Sequence, residues 1–266
     1  MKKTLIALAV AASAAVSGSA IAAGWVPNGT GGTVELGGTL TVIQKTTPWS
    51  VKVGGGVSDL NAQVQKGQKV VYVPVKKPVL FLGITPTEGS FKERKGINPQ
   101  IDYNGFVDIN GFDEGVTKVK LPIKNKEQKN IGNMEADFNV AALVQRLYFA
   151  DSSGNQTVER YSVYANKEGQ GFFGGVGKNA KGVLAGSKVA DFLNKLDPEI
   201  TNSIWAHTKL KDANTVNFDN MKNLTQSYYG SGIVEGTFMK ITLDTAVSGN
   251  EKLEWHATMP IRVVYQ

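Results

Sequence analysis

The sequence predicts an all-β protein, either a sandwich or a barrel, and three observations lead to this fold class. Most of the chain alternates apolar with polar residues, which is the pattern of a strand with one buried face. Glycine accounts for 30 of the 266 residues, well above the roughly 7% average, and this favours turns and bulges. Few helical patterns separate the strands, so repeated β-α-β units are not expected.

The strands follow one another at short spacing. The first is predicted at residues 32–42, where apolar residues alternate with threonine and glutamate and a Gly37-Gly38 pair interrupts the apolar row. Turn signals rich in glycine, proline, asparagine and aspartate separate the later ones. Those strands are predicted at residues 49–53, 69–75, 79–82, 101–109, 116–123, 236–243 and 253–265.

The middle of the chain has a different pattern. Within residues 187–196, apolar residues recur at the spacing of one helix face, and Ser187 is positioned to cap the helix through its hydroxyl. Asp197-Pro198-Glu199 has the composition of a second helix start. A glycine-rich segment at residues 169–177 is predicted to be a loop. We therefore expect an insertion at about residues 151–229 between strands of one domain, with a separate domain as the alternative.

The composition excludes several kinds of site. The chain has no cysteine, so it forms no disulfide, no cysteine-bound metal site and no thiol nucleophile. Its two histidines, His207 and His256, have no second ligand at a metal-binding spacing. The net charge of +6 comes from scattered lysines without interleaved aromatic residues, which indicates a solvated surface and no nucleic-acid partner. We expect neither a metal nor a cofactor.

Searches for catalytic patterns also fail. The glycine-rich loop lacks the spacing of a phosphate-binding loop, because Gly177-Lys178 is followed by Asn179. Ser231 sits between two glycines but outside the five-residue pattern of a hydrolase nucleophile. The acidic residues show no local glycosidase signature. The sequence therefore predicts a protein that is not an enzyme.

The first 22 residues have the features of a signal peptide. A basic start at Lys2 and Lys3 precedes an alanine-rich apolar stretch, and Ala20-Ile21-Ala22 supplies the small residues that signal peptidase requires. The apolar stretch is shorter than the ~20 residues of a membrane-spanning helix. We expect cleavage after Ala22 and export of residues 23–266.

Aromatic residues in the predicted insertion accompany polar ones. This mixture suits a sugar-binding surface, since a ring can stack on the apolar face of a pyranose while polar groups bind its hydroxyls. Core packing is the simpler interpretation of any single ring. The rings concerned are Phe172, Phe173, Trp205, Tyr228 and Tyr229.

Two amphipathic strands lie at the ends of the mature chain. The last one carries apolar residues at every second position from Leu253 to Tyr265. A strand edge with unpaired N–H and C=O groups can accept a strand from another molecule, and the segment at 32–42 has the apolar row that a donor strand needs. The alternative is that both strands pair within their own sheet.

Several segments resemble a known family. The start MKKTLIALAV, the stretch GTVELGGTLT at residues 32–41 and WSVKVG at residues 49–54 are similar to the FaeG family of fimbrial subunits from enterotoxigenic Escherichia coli. So are YGSG at residues 229–232, LEW at residues 253–255 and a penultimate Tyr265. The absence of cysteine and the length of the chain also agree with that family.

The resemblance implies an incomplete immunoglobulin-like β-sandwich that is completed by donor-strand exchange. A periplasmic chaperone first lends a strand, and an outer-membrane usher replaces it with the N-terminal extension of the neighbouring subunit. Residues 23–42 are then the extension and residues 43–266 the pilin domain. The implied donor residues are Val34, Leu36, Gly38, Leu40 and Val42, and the implied acceptor-groove and chaperone contacts are Trp255, Met259, Ile261, Val263 and Tyr265.

The same resemblance implies a major fimbrial subunit that is also the adhesin, with a host glycan receptor bound by the insertion. The candidate receptor-binding residues, chosen by side-chain chemistry, are Phe173, Lys178, Trp205 and Tyr228. A minor subunit without receptor binding is the first alternative. From another class, a small outer-membrane β-barrel is the second, and a periplasmic enzyme is the third.

Overall fold

The structure is a computed structural model that describes residues 27–28, 36–41, 46–149, 156–202, 204, 211–249 and 252–266. Residues 1–44 and residues 45–266 form two compact units. In the first unit, Pro27 and Asn28 form a turn, and residues 36–41 have no regular secondary structure. The predicted strand at 32–42 is therefore not formed over its described part, while the predicted signal peptide lies outside the described residues.

The second unit is built from antiparallel strands, which confirms the all-β fold class. Every strand pair is antiparallel. The strands are β1 (Trp49–Val53), β2 (Val70–Pro74), β3 (Val79–Pro86), β4 (Phe91–Lys92), β5 (Pro99–Asp102), β6 (Val116–Lys124), β7 (Asn130–Phe149), β8 (Gln156–Ser162), β9 (Leu224–Ile233), β10 (Phe238–Leu243) and β11 (Arg262–Tyr265).

Nine strands form one large sheet. Its order is β1-β3-β9-β7-β10-β2, with β4 beside β9 and with β6 and β8 beside β7. Strands β5 and β11 form a separate two-stranded sheet. Both β1 and β2 are therefore edge strands of the large sheet, and β11 pairs with β5 alone.

In the two central strands of the large sheet, β7 and β9, apolar and polar residues do not alternate over the full length of the strand. In β7, alternation up to Phe138 gives way to residues 140–145, which are all buried. In β9, small polar residues such as Ser227 and Ser231 are fully buried. Strands buried on both faces lose the period of two, and this is why the sequence analysis did not predict β7 or β9. It also missed β8.

Strand predictions elsewhere are mostly confirmed, with two corrections. The predicted strand at 101–109 ends at Asp102, because the Asp102 carboxylate accepts a hydrogen bond from the Asn104 backbone N–H at 2.7 Å and a turn follows. The predicted strand at 253–265 is regular only at β11. By contrast, β1 has the predicted bounds.

The predicted helix is present as α1 (Lys188–Leu196). Its buried residues Val189 and Leu193 pack against Leu143 of β7 and Tyr228 of β9. The predicted cap is wrong, because Ser187 has helical backbone angles and makes no capping hydrogen bond, whereas capping residues are usually extended. The second predicted start is confirmed as a short 3-10 helix (Pro198–Thr201), where the Asp197 side chain accepts from the Glu199 N–H.

The predicted insertion overlaps the large sheet at both ends. Strand β8 and the first residues of β9 both pair with β7. The described helical segments, α1 and the 3-10 helices Ala180–Gly182 and Pro198–Thr201, lie between these two strands. The limits of an insertion therefore stay a prediction.

Candidate functional site

The C-terminal segment carries a row of partly buried apolar side chains. From Ala257 to Gln266, partly buried and exposed residues alternate without a break, and the partly buried ones pack against the main hydrophobic core. This confirms the predicted alternation from Ala257 onward, whereas Leu253, where the predicted row begins, is exposed. The row consists of Trp255, Ala257, Met259, Ile261, Val263 and Tyr265.

The backbone of this segment is paired only at its ends. His256 exchanges two backbone hydrogen bonds of 2.9 Å with Lys124, and Gln266 exchanges two with Asn98. Between these anchors, residues 257–261 make no backbone hydrogen bond with another described residue. Because bonded pairs alternate along an antiparallel ladder, the backbone groups of Val263 point away from β5. The segment thus presents an open edge.

Strand β1 presents a second open edge. Its backbone bonds to β3 involve the even-numbered residues, as the bonds from Thr87 to Pro48 and from Gly54 to Phe81 show. The backbone groups of Val51 and Val53 therefore face away from β3. Both valine side chains are exposed, although they lie on the same face of the strand as the buried Trp49. Their apolar surface is left uncovered by the described part of the chain.

The two open segments approach each other at both ends. Residues 57–64, which follow β1, face residues 252–256 across a cleft of about 920 Å³. Its apolar floor comes from Val71, Val73, Ile123, Ile241 and Leu243. At the other end, the Tyr265 phenol makes a hydrogen bond with Thr47, just before β1, so the two segments meet there. Burial raises the pKa of this phenol, and the hydrogen bond opposes the rise.

We name the space between residues 47–64 and residues 255–265 the open groove. Ten residue steps from Trp255 to Tyr265, at about 3.3 Å each, give it a length of about 33 Å. Its walls carry backbone groups without a partner among the described residues, and its apolar side chains are partly buried on the C-terminal side and exposed at Val51 and Val53. Such a surface can bind an extended apolar strand.

The described part of the N-terminal unit carries residues of the complementary kind. Leu36 and Leu40 are 93% and 98% exposed, respectively. Gly38 lies between them at the same parity, and a methyl group added there would meet no heavy atom within 4 Å. Val34 and Val42, the remaining predicted donor residues, lie outside the described residues.

The candidate receptor residues are in different environments. Phe173 is partly buried against the main core, and exposed Lys178 donates a hydrogen bond of 2.5 Å to the Asn110 side chain. Tyr228 is completely buried beneath α1, so its ring packs the core and offers no face to a receptor. Trp205 lies outside the described residues.

A buried charge network holds the segment before β9, and the sequence analysis missed it. The Glu93 carboxylate is buried and accepts hydrogen bonds from Arg146 at 2.8 Å, Thr225 at 2.7 Å and Asn223 at 3.0 Å. Because these partners are far apart in sequence, no local pattern reveals the network. It is fully satisfied, which is typical of a structural site.

A second buried polar network joins Tyr103, Tyr229 and Ser231. The Tyr103 hydroxyl lies 2.5 Å from that of Tyr229 and 2.8 Å from that of Ser231. Burial raises the pKa of both tyrosines well above the usual value. The Tyr229 hydroxyl also donates to the Gly175 carbonyl at 2.9 Å, so the network fixes the glycine-rich loop to the core.

The described part of the chain has neither a metal-binding cluster nor a membrane-spanning helix. It contains no cluster of three or more residues suited to a metal ion. Its helices are also too short to cross a membrane.

Comparisons with known proteins identify the family of the chain. The whole chain, residues 1–266, matches the family described as "Fimbrial, major and minor subunit". It is 28% identical to the K88 fimbrial protein AC and 29% identical to the K88 fimbrial protein AD, both from Escherichia coli. It is 27% identical to the F41 fimbrial protein of the same species. Each match covers the full length of both chains. The chain therefore belongs to the K88 family of fimbrial subunits.

Proposed function

We propose that this fimbrial subunit polymerises by donor-strand exchange along the chaperone–usher pathway. The observation that carries the proposal is the open groove, in which a partly buried apolar row on one edge and the exposed valines of β1 on the other accompany backbone groups that have no partner among the described residues. Residues 32–42 of a neighbouring copy fill the groove. This pairing completes the sheet and the core of the acceptor subunit at the same time.

Length and chemistry both suit this occupant. As an extended strand, residues 32–42 make ten steps of about 3.3 Å and span about 33 Å, the same as the groove length. The inserted strand satisfies the backbone groups of Val51, Val53 and Val263, and it buries Leu36 and Leu40 against the apolar row. Since an unpaired buried backbone group is costly, both contributions favour the filled state.

Export and assembly follow from the same proposal. The signal peptide at residues 1–22 directs the chain to the periplasm and is removed. A periplasmic chaperone then covers the groove, contacting residues from Trp255 to Tyr265, and keeps the apolar row from aggregating. At the outer-membrane usher, the extension of the next subunit replaces the chaperone strand, and the fimbria grows on the cell surface.

We further propose that the chain is the major subunit and the adhesin. Repetition along a fimbria gives many copies of a weak site for a host glycan, so the avidity is high even where each contact is weak. The candidate contacts with the glycan remain Phe173, Lys178 and Trp205. A minor subunit without receptor binding would instead be rare in purified fimbriae, which quantitative mass spectrometry measures directly.

Deleting residues 23–42 from the mature chain tests the assembly proposal. We expect this variant to accumulate in the periplasm in complex with its chaperone, because its groove is intact, but to form no fimbriae in electron micrographs. A matched control replaces Thr39 and Thr41 with serine, which keeps the apolar row, and this control should assemble normally. Fimbriae of normal length from the deletion variant would disprove donor-strand exchange by this segment.

A further inference from the structure

The outer face of the large sheet is exposed along four neighbouring strands. In β6, the first part of β7, β10 and β2, alternate side chains pack against the main core, and those between them face solvent. The register aligns one solvent-facing residue from each strand, and we name these four residues the surface row. They are Tyr72 of β2, Lys240 of β10, Glu135 of β7 and Lys120 of β6.

The chemistry of the surface row changes from strand to strand. Strands about 4.8 Å apart give the row a length of about 14 Å. From the β2 end, its side chains are aromatic, basic, acidic and basic. Tyr72 is 60% exposed, and none of the three charged residues forms an ion pair with another described residue. The ring and the charges are therefore available for contacts with a partner.

We propose that this face binds the same face of a second copy in a neighbouring fimbria, an inference that rests on the polymerisation proposed above. The two copies are related by a two-fold axis that runs along the strands, between β10 and β7. This axis reverses the order of the strands and keeps the rows aligned, so each contact occurs twice. Lys240 then meets the partner's Glu135, and Tyr72 meets the partner's Lys120, whose ammonium can lie over the ring.

The next row along the strands obeys the same symmetry. Its residues are Val70 of β2, Thr242 of β10, Asn133 of β7 and Pro122 of β6. Under the same rotation, Val70 meets the partner's Pro122, which is an apolar contact. Thr242 meets the partner's Asn133, and a hydroxyl and an amide can form a hydrogen bond. This row is therefore self-complementary as well.

On the other side of the surface row, an exposed ring faces an ion pair. Phe238 lies two residues before Lys240 and is 58% exposed. The rotation brings it to the partner's Lys118 and Asp137, which form an ion pair of 2.6 Å. A lysine ammonium is attracted to the face of an aromatic ring, so this contact is also favourable.

The order of charges favours a second copy over other partners. The acidic residues of β7, Glu135 and Asp137, lie between the lysines of β10 and those of β6. A partner of one charge sign, such as an anionic membrane, would be repelled by part of this face. The same face after rotation instead matches Lys240 with a carboxylate in both directions.

Repetition along the fimbria makes such a contact effective. A single exposed ion pair contributes little to association. A fimbria presents the face once in every subunit, so each contact holds the following ones close to their partners. Fimbriae should therefore associate side by side. High salt should weaken the bundles, because the screening length falls from about 8 Å at physiological ionic strength to about 3 Å at 1 M.

Charge reversals test the pairing in purified fimbriae, with bundles measured by light scattering and negative-stain electron microscopy. Glu135→Lys brings two ammonium groups together in every contact, and Lys240→Glu brings two carboxylates together. We expect each variant alone to form single fimbriae without bundles. In a mixture of the two variants, opposite charges meet again at both positions, so bundles should return. A purely structural role of either residue would not produce this rescue.

Glu88→Lys and Lys188→Glu are the matched controls, because they make the same charge changes at exposed residues outside the four strands. Both should bundle like the wild type. Single wild-type fimbriae would overturn the proposal, and so would bundles of either reversal variant alone or a mixture without bundles. Wild-type fimbriae that sediment with phosphatidylglycerol vesicles but do not bind one another would overturn it too.

A further variant covers the case in which a charge reversal prevents assembly. Tyr72→Ser changes an exposed residue outside the open groove, so we expect normal fimbriae that bundle less than the wild type. Equal bundling of Tyr72→Ser and the wild type would contradict the proposed contact. Failure of polymerisation itself is distinguishable, because then the wild-type chain would form no fimbriae.

Discussion

Truncating two leucines of the N-terminal extension should weaken the proposed fimbria in a measurable way. Leu36 and Leu40 expose almost their whole side chains within one chain, so nearly all of that surface is available for burial in a neighbouring groove. At about 0.8 kcal/mol per buried methylene, each Leu→Ala change loses about 2 kcal/mol. The double variant therefore loses about 4 kcal/mol per junction, which corresponds to about a thousandfold in the dissociation constant.

The assay is the dissociation of purified fimbriae into monomers on heating or in denaturant, followed by gel filtration. The matched control is Thr39→Ala with Thr41→Ala, since both threonines lie at the opposite parity and face away from the groove in the proposed pairing. We expect the control fimbriae to be as stable as the wild type. Equal stability of the leucine variant, or equal loss in the threonine variant, would refute the reasoning.

Three further predictions concern the fold itself. Gly174→Ala should destabilise the subunit by more than about 2 kcal/mol in urea denaturation, because the added methyl group meets the Ile101 carbonyl oxygen. Gly105 has a similar positive φ but open space around it, so Gly105→Ala should cost about 1 kcal/mol. Glu93→Gln should lower the free energy of unfolding by about 3 kcal/mol, because it leaves the largely buried Arg146 without its counter-charge. Asp137→Asn, which breaks an exposed ion pair with Lys118, should lower it by less than about 1 kcal/mol. Equal losses in the two variants would contradict this reasoning. The raised pKa of Tyr103 predicts that its contribution to stability is constant below about pH 10 and is lost above it, because the unfolded state releases the phenol proton first. Tyr103→Phe should therefore make the alkaline fall in stability smaller, though not abolish it because the pKa of Tyr229 is also raised, in denaturation curves measured from neutral to alkaline pH.

Local patterns predicted the amphipathic elements well. Strand β1 and helix α1 were predicted within one residue of their observed ends, since each has one apolar face and one polar face. The row from Trp255 to Tyr265 was also predicted correctly, although only its last part forms a regular strand. The alternation of side chains can be read from neighbouring residues, but a regular strand forms only where another strand pairs with the backbone.

The central strands could not be predicted in this way. Both faces are buried in β9 and at residues 140–145 of β7, and the small polar residues of β9 are satisfied by partners on distant segments. Tyr228 illustrates the same limit, because an aromatic residue among polar ones has the composition of a binding surface and is nevertheless core. Only the packing of α1 over β9 decides that this residue is covered from solvent.

The sequence by itself determined the fold class, the cysteine-free chemistry, the amphipathic terminal segments and the resemblance to a fimbrial family. Each of these depends on composition or on neighbouring residues, which a sequence displays directly. Only the tertiary structure decided which of the described strand edges are left without a partner and where the open groove runs. These features depend on contacts between β1, β5 and β11, and residues so far apart in the chain become neighbours only on folding.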